Sequence, residues 1–284
     1  MDQKAREIMT NRNFKLTGYD ILELIGTGAH SSLWKVRNQH TGETRTLKRV
    51  VKLGKDDEKF FNQTINEFEA GKKIAHPSVR KVFEIRKVRK LLATKELHLL
   101  MEFCPGKSIK QAPPKTIREA ADLFSKTAIA MLHINQAGFI HADMKPDNII
   151  QAPNGNIKII DLGQCCKSGT IKDRVQGTPD FIAPEQVHKQ PLTPRTDVYN
   201  FGATMYWCLT GKPGPMVIPP TGSLHSFVKQ VDPPSKHNPD VPVVLDRLIL
   251  SCMEQSQRQR PESMKEIASR LRIILAKLHA DRPQ

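Results

Sequence analysis

His141-Ala142-Asp143-Met144-Lys145-Pro146-Asp147-Asn148, followed thirteen residues after Asn148 by Asp161-Leu162-Gly163, is the stretch on which the reading of this chain turns. Between the two blocks, Asn154-Gly155-Asn156 reads as a hairpin turn joining short strands at Asn148–Gln151 and Ile157–Ile160. Such a turn is expected to bring Asn148 and Asp161 together. One amide oxygen and one carboxylate, converging, suit Mg2+, a hard cation that takes oxygen ligands and substrate phosphates. Asp143 then sits beside them, placed to accept a proton from an attacking hydroxyl.

Upstream of this stretch the pattern is one of short strands, at Tyr19–Ile25, Ser32–Arg37 and Thr44–Val51, separated by turn residues such as Gly26-Thr27-Gly28 and His40-Thr41-Gly42. The Gly26-Thr27-Gly28 turn lies between two strands, which argues against a dinucleotide-binding fingerprint, since that motif needs a helix N-terminus for the pyrophosphate. It is either a plain hairpin turn or a place where backbone N–H groups approach phosphates closely. Asp56-Asp57-Glu58 puts acids at a helix start, and Phe61, Ile65 and Phe68 follow at the spacing of a buried helical stripe. His76-Pro77 closes that helix. Strands are expected at Val79–Ile85 and Glu96–Phe103, joined by a basic turn around Arg86–Lys90. After Cys104-Pro105-Gly106 the chain becomes helical, with Thr116–Ala137, Asp197–Leu209, Val243–Met253 and Ser263–His279 as helices and a Pro-rich connection between Pro213 and Pro242.

Composition bounds the function. The chain has 284 residues, a formal charge of +15 and 38% hydrophobic residues, ample for a sizeable core and too apolar for a disordered chain. The basic residues are spread out and aromatics make up only 6%, so no specific nucleic-acid partner is expected. Five Cys form no C-x-x-C pair and read as reduced thiols. The polar start MDQKAREIMTNRN and the lack of a long apolar run lead to the expectation of a cytoplasmic protein with no transmembrane anchor.

In order along the chain, these blocks resemble the motif set of eukaryotic-type (Hanks-type) serine/threonine protein kinases, over roughly Tyr19 to Arg272. Gly26-Thr27-Gly28-Ala29-His30-Ser31-Ser32-Leu33 is similar to the glycine-rich loop, Lys48 to the lysine of the third strand and Glu67 to the helix-C glutamate. Leu99-Leu100-Met101-Glu102-Phe103-Cys104 resembles the hinge, with Met101 as gatekeeper. His141–Asn148 resembles the catalytic loop and Asp161-Leu162-Gly163 the metal-binding triplet. Gly177–Glu185 resembles the end of the activation segment, Asp197–Gly202 the helix that anchors the larger lobe, and Arg260 the arginine that pairs with Glu185. The Gly177–Gln186 wording leans towards the bacterial branch.

The resemblance implies an α+β, bilobal fold: an N-terminal extension at 1–18, a small antiparallel-sheet lobe with one main helix at 19–104, and a larger, mainly helical lobe at 105–284. It implies ATP as cosubstrate with Mg2+ (Mn2+ as an alternative) and a protein substrate offering Ser or Thr; as the sequence holds no recognisable sensor domain, a regulatory protein partner is expected as well. Asp143, Lys145, Lys48 and Glu67 would be catalytic. Gly26, Thr27, Gly28, Ala29, Leu33, Lys48, Met101, Glu102, Cys104 and Ile150 would line the nucleotide, and Asn148 and Asp161 would hold the metal.

Several residues also have plainer readings. His141 reads as a packed structural histidine, Cys165-Cys166 as packing in preference to a redox switch, and the stripe Met264, Ile267, Leu271, Leu275, Leu278 as a helix on its own lobe in preference to a membrane surface. A nucleotide-binding pseudokinase is the alternative function, opposed by the presence of Lys48, Asp143, Asn148 and Asp161 together. The chain departs from the family at Ala142, where an arginine usually receives an activation-loop phosphate, at Ser31 for the third glycine, and at Thr46 for alanine. Gly71 is expected to leave a small hole one turn beyond Glu67.

Overall fold

The computed structural model describes residues 7–8, 10–28, 30–90, 93–214 and 231–280. Ala29 and much of the Pro-rich connection fall outside the described residues. The chain divides into two compact units, one of Met1–Ala75, Arg80–Cys104 and Asp161–Gly163, the other of His76–Val79, Pro105–Ile160 and Gln164–Gln284. The division departs from a single cut after Cys104: His76–Val79 joins the second unit, where Val79 bridges Ile159, and Asp161–Gly163 joins the first.

The first unit is built on five antiparallel strands: β1 (Tyr19–Thr27), β2 (Ser31–Asn38), β3 (Thr44–Val51), β4 (Val82–Lys90) and β5 (Ala93–Glu102), in the order β1-β2-β3-β5-β4. In β2, Ser32, Trp34 and Val36 are buried at every second position, the period of a strand with one covered face. Leu16 joins Tyr19, Trp34, Val36, Leu47 and Leu100 in one cluster, and Phe14 meets Trp34 edge-on at 5.4 Å, so part of the 1–18 stretch packs into this sheet. The basic run Arg86–Lys90 is not a turn. It continues β4, paired with β5 as far as Lys90↔Ala93. Because β4 is an edge strand, its charged side chains stay solvated while its backbone is paired on the inner side, and edge charge opposes further strand addition.

Helix α1 (Glu58–Lys73) packs on this sheet. Asp57 precedes it, its Oδ2 accepting from the Leu53 and Gly54 N–H groups at 2.8 Å each. The buried line along α1 is Phe61, Thr64, Glu67 and Ala70-Gly71, while Ile65 and Phe68 are only half-buried. The apolar stripe of the sequence therefore sits to one side of the most buried line, and that line carries a glutamate inward. No hole exists at Gly71: a Cβ built there would lie 2.8 Å from Val82 Cγ2 and 2.9 Å from Cγ1, so Val82 fills the space.

The second unit is mainly helical. Its helices are α2 (Ile117–Gln136), α3 (Pro184–Val187), α4 (Pro194–Thr210), α5 (Val243–Cys252) and α6 (Met264–Ala280). Thr116 caps α2 by accepting from the Glu119 N–H at 3.1 Å. Helix α6 packs along α2 and buries Met264, Ile267 and Leu271 of the expected stripe together with Ile274, while Leu275 and Leu278 are half-buried. Short strands at Ile149–Gln151 and Ile157–Ile159 form the expected hairpin, with Asn148 in the 3-10 turn Pro146–Asn148 just before it. Among the described residues, no helix is long and apolar enough to cross a membrane.

Candidate active site

In the first unit, β3 and α1 carry the charged centre. Lys48 is aligned with Leu33 on one side and Leu99 on the other. Its ammonium donates to Glu67 Oε2 at 2.6 Å, so two residues nineteen apart in sequence form a largely buried ion pair. Burial works against the Lys48 ammonium, but the Glu67 carboxylate and then Asp161 outweigh it, and its pKa is raised. Glu67 has a second cation: Arg80 Nη2 donates to Oε1 at 3.1 Å, with Arg80 itself 9% exposed. Arg80 was not among the sequence candidates. Its only signal was a guanidinium close behind His76-Pro77 in a segment otherwise expected to be an ordinary strand.

The remaining candidates of this unit surround the sheet. Gly26 is aligned with Leu33 and Thr27 with Ser32 across the β1–β2 hairpin, and the Gly28 N–H donates to the Ser31 carbonyl at 2.7 Å. Leu33 packs against the Val82, Leu99 and Met101 cluster. Met101 is fully buried opposite Thr46, itself 3% exposed. The Glu102 N–H donates to the Lys81 carbonyl at 2.9 Å, and Cys104 follows two residues later. Asp161 has φ 64°, a left-handed conformation uncommon for a non-glycine residue, and its Oδ1 accepts from the Gly163 N–H at 3.2 Å.

In the second unit, Asp143, Lys145 and Thr178 close a triangle. Lys145 Nζ donates to Asp143 Oδ2 at 3.0 Å and to Thr178 Oγ1 at 2.9 Å, and the Thr178 hydroxyl donates to Asp143 Oδ1 at 3.0 Å. Asn148 donates its amide to the Asp143 carbonyl at 2.8 Å, which commits the nitrogen to the loop and leaves the oxygen as an acceptor. The Ile160 N–H donates to the Asn148 carbonyl at 2.9 Å. Ile150 lies on the adjoining strand, aligned with Ser108 and Lys158. His141 is fully buried, its Nδ1 accepting from the Asp143 N–H at 3.3 Å, as befits a structural histidine.

This loop is held from below by Asp197 at the start of α4. Its Oδ1 accepts from the Ala142 N–H at 2.9 Å, and its Oδ2 from the His141 N–H at 3.0 Å and Asn135 Nδ2 at 2.7 Å. Burial pushes the Asp197 carboxyl up, opposed by His141 and by these hydrogen bonds. Glu185 and Arg260 form a bidentate pair at 2.7 and 2.9 Å, both buried. No disulfide joins the cysteines, and burial pushes the Cys166 thiol up, away from the reactive thiolate.

The donor set fits a hard divalent cation. Among the described residues there is no cluster of three His, Cys, Asp or Glu that would hold a metal through protein groups alone. Asp161 in the first unit offers a carboxylate and Asn148 in the second a carboxamide oxygen, the kind of oxygen donor that a hard cation such as Mg2+ takes.

The chain belongs to the protein kinase domain family, whose pattern it matches over residues 19–271. A probable serine/threonine-protein kinase of Clostridium acetobutylicum is 26% identical to it over 262 residues, 89% of this chain and 39% of that protein. Sperm motility kinase 2B of Mus musculus is 33% identical over 201 residues, 68% of this chain and 40% of that protein. The serine/threonine-protein kinase PknA of Mycobacterium tuberculosis is 26% identical over 274 residues, 93% of this chain and 63% of that protein. The chain thus spans between 39% and 63% of the length of these relatives.

Proposed function

We propose that this chain is a protein serine/threonine kinase that transfers the γ-phosphoryl group of Mg-ATP to Ser or Thr hydroxyls of protein substrates and of itself. The observation that carries this reading is the Asp143–Lys145–Thr178 triangle: a carboxylate already accepting a hydroxyl hydrogen bond, with an ammonium 3.0 Å away. The same carboxylate is suited to take the proton of an attacking hydroxyl, while Lys145 offsets charge gathering on the phosphoryl oxygens. Lys48, kept cationic by Glu67, holds the α- and β-phosphates. Asn148 and Asp161 would hold Mg2+, which when bound would offset charge on the phosphate oxygens. Gly26, Thr27, Gly28 and Leu33 cover the nucleotide, with Ala29 between them outside the described residues; Met101, Glu102, Cys104 and Ile150 line its base and ribose.

Ala142 makes this a kinase of the type that lacks an arginine before the catalytic aspartate, and its activity is independent of activation-loop phosphate. Ser168 is exposed and Thr170 half-buried, so they are the expected self-phosphorylation sites ahead of Thr178, whose hydroxyl is engaged. A cytoplasmic location and a regulatory protein partner remain part of the proposal. The test is incorporation of labelled phosphate from Mg-ATP into a generic basic protein, with Asp143→Asn as control. No transfer by the unaltered protein with either Mg2+ or Mn2+ overturns the reading.

A further inference from the structure

Ala142 removes the group that a phosphorylated loop would grip, yet the activation segment is tied to the catalytic loop by another side chain. Gln186, on α3 and 5% exposed, places its carboxamide between four chain segments. Nε2 donates to the Ala142 carbonyl at 2.8 Å and to the Gln176 carbonyl at 3.1 Å. Oε1 accepts from the Ala183 N–H at 3.0 Å and from Asn200 Nδ2 at 2.9 Å. A carboxamide has two N–H donors and two acceptor lone pairs, and here all four are used. Carbonyls only accept and a backbone N–H only donates, so the amide can be placed only one way round.

The node closes a ring. Gln176 stands two residues before Thr178, which bonds Asp143, and Asp143 directly follows Ala142, which bonds Gln186. Ala142 has φ 61°, an unfavourable conformation for a residue with a Cβ, and both its backbone groups are held by buried side chains, the N–H by Asp197 and the carbonyl by Gln186. Gly177, φ 131°, gives the amide its room: a Cβ there would lie 3.2 Å from Gln186 Nε2.

We propose that Gln186 is a positioning residue that docks the activation segment on the catalytic loop through a neutral, four-bonded carboxamide, so that Thr178 and Asp143 stay in register without a phosphate. The catalytic readout of this role rests on the kinase reading; the structural readout does not.

Two near-isosteric variants test it. Gln186→Glu keeps both acceptors and loses both donors, while Gln186→Met keeps the volume and loses all four bonds. Hydrogen exchange is measured over residues 174–182 in dephosphorylated protein at pH 8 and pH 6, each variant against the unaltered protein at the same pH. At pH 8 both variants should exchange about tenfold faster or more in this segment, because buried carbonyls have lost their donors. Helix α2 should keep its protection. At pH 6 Gln186→Glu, protonated and able to donate once, should move back towards the unaltered protein, and Gln186→Met should not. Lys172, Glu185 and Lys189 line the small cavity beside Gln186 and are the charged neighbours of the substituted side chain in all three proteins. In phosphotransfer, the same variants should lose rate and affinity for protein substrate with little change in the KM for ATP.

Unaltered exchange over 174–182 in both variants overturns the role of Gln186, and so does a Gln186→Glu effect that ignores pH. If Gln186→Met unfolds throughout, Gly177→Ala pushes on the same amide, and unchanged protection at Gln176 there overturns the proposal. An inactive unaltered protein overturns the kinase reading and leaves the exchange comparison standing.

Discussion

Glu67 and Gln186 are equally well buried and do similar geometric work, but one holds two cations and the other holds no charge at all. In the first unit, the Lys48–Glu67–Arg80 cluster fixes a helix against a sheet through charges that were costly to desolvate and that compensate only while all three are present. In the second, a single carboxamide gathers four backbone and side-chain groups with no ionisable atom of its own. The charged device keeps the Lys48 ammonium charged in spite of its burial. The neutral one positions polypeptide independently of pH and of phosphate. Removing charge should therefore be severe in the first region and, beside the neutral node of the second, should matter most at the Asp143 carboxylate.

That carboxylate gives the largest expected effect. Asp143→Asn keeps the hydrogen-bond partners Lys145 and Thr178 within reach and removes the proton acceptor, so phosphotransfer should fall by about 10²–10⁴-fold. Thermal unfolding should change little, and a variant that unfolds early would instead make Asp143 a structural charge. Next is Glu67→Gln. It leaves two cations facing one neutral amide, and urea unfolding should show a loss of about 3–5 kcal/mol, the range for breaking a buried pair from one side. A loss below about 1 kcal/mol would mean that Arg80 and Lys48 find other partners, and the contrast between the two regions would collapse.

A third prediction uses acid. Glu96 on β5 accepts from Arg49 Nε and Nη2 at 2.7 Å each and lies 2.9 Å from His98 Nε2. Burial works against its carboxylate, but these partners win and hold it down to about 2, below its ordinary 4.5. A carboxyl whose folded value is depressed stabilises the fold above the unfolded value and loses that contribution as pH falls towards the folded one. Stability measured by urea should therefore decline between about pH 5 and pH 2, and Glu96→Gln should be less stable at pH 7 with a flatter acid limb. Parallel curves for the two proteins would exclude the Arg49–Glu96–His98 group as the source.

How far the sequence reveals these devices depends on whether their signal is local. Strand β3 is expected at Thr44–Val51 and lies there, because its β-branched residues and the turn before it are neighbours in sequence. The Thr116 cap and the α2 stripe are equally local. The β4 strand was misjudged because its basic run looks like a turn until its partner strand is known: ladder pairing with β5, not side-chain polarity, sets its length. Lys48, Glu67, Asp143 and Asn148 are singled out by the ordered motif set, since no local rule joins Lys48 to Glu67. Arg80 and Gln186 were missed. A glutamine beside Pro184-Glu185 has no periodicity or charge to mark it, and its importance comes from four partners spread from Ala142 to Asn200.

Gly71 offers the smallest effect and the finest test of how α1 is held. From helix propensity alone, Gly71→Ala should stabilise α1 by up to about 1 kcal/mol. The added Cβ, however, would meet both Val82 methyl groups at 2.8 and 2.9 Å, and a β-branched side chain in a strand has little freedom to turn away. Overpacking of this kind costs about 1–3 kcal/mol, so the net change should be a loss of about 1 kcal/mol in urea unfolding. Combining Gly71→Ala with Val82→Ala reopens the space, and the two changes together should be less destabilising than their separate effects summed. Strict additivity would place the two side chains out of contact, and the position of α1 would then rest on Glu67 and on Phe61 packed against Val50 and Leu97.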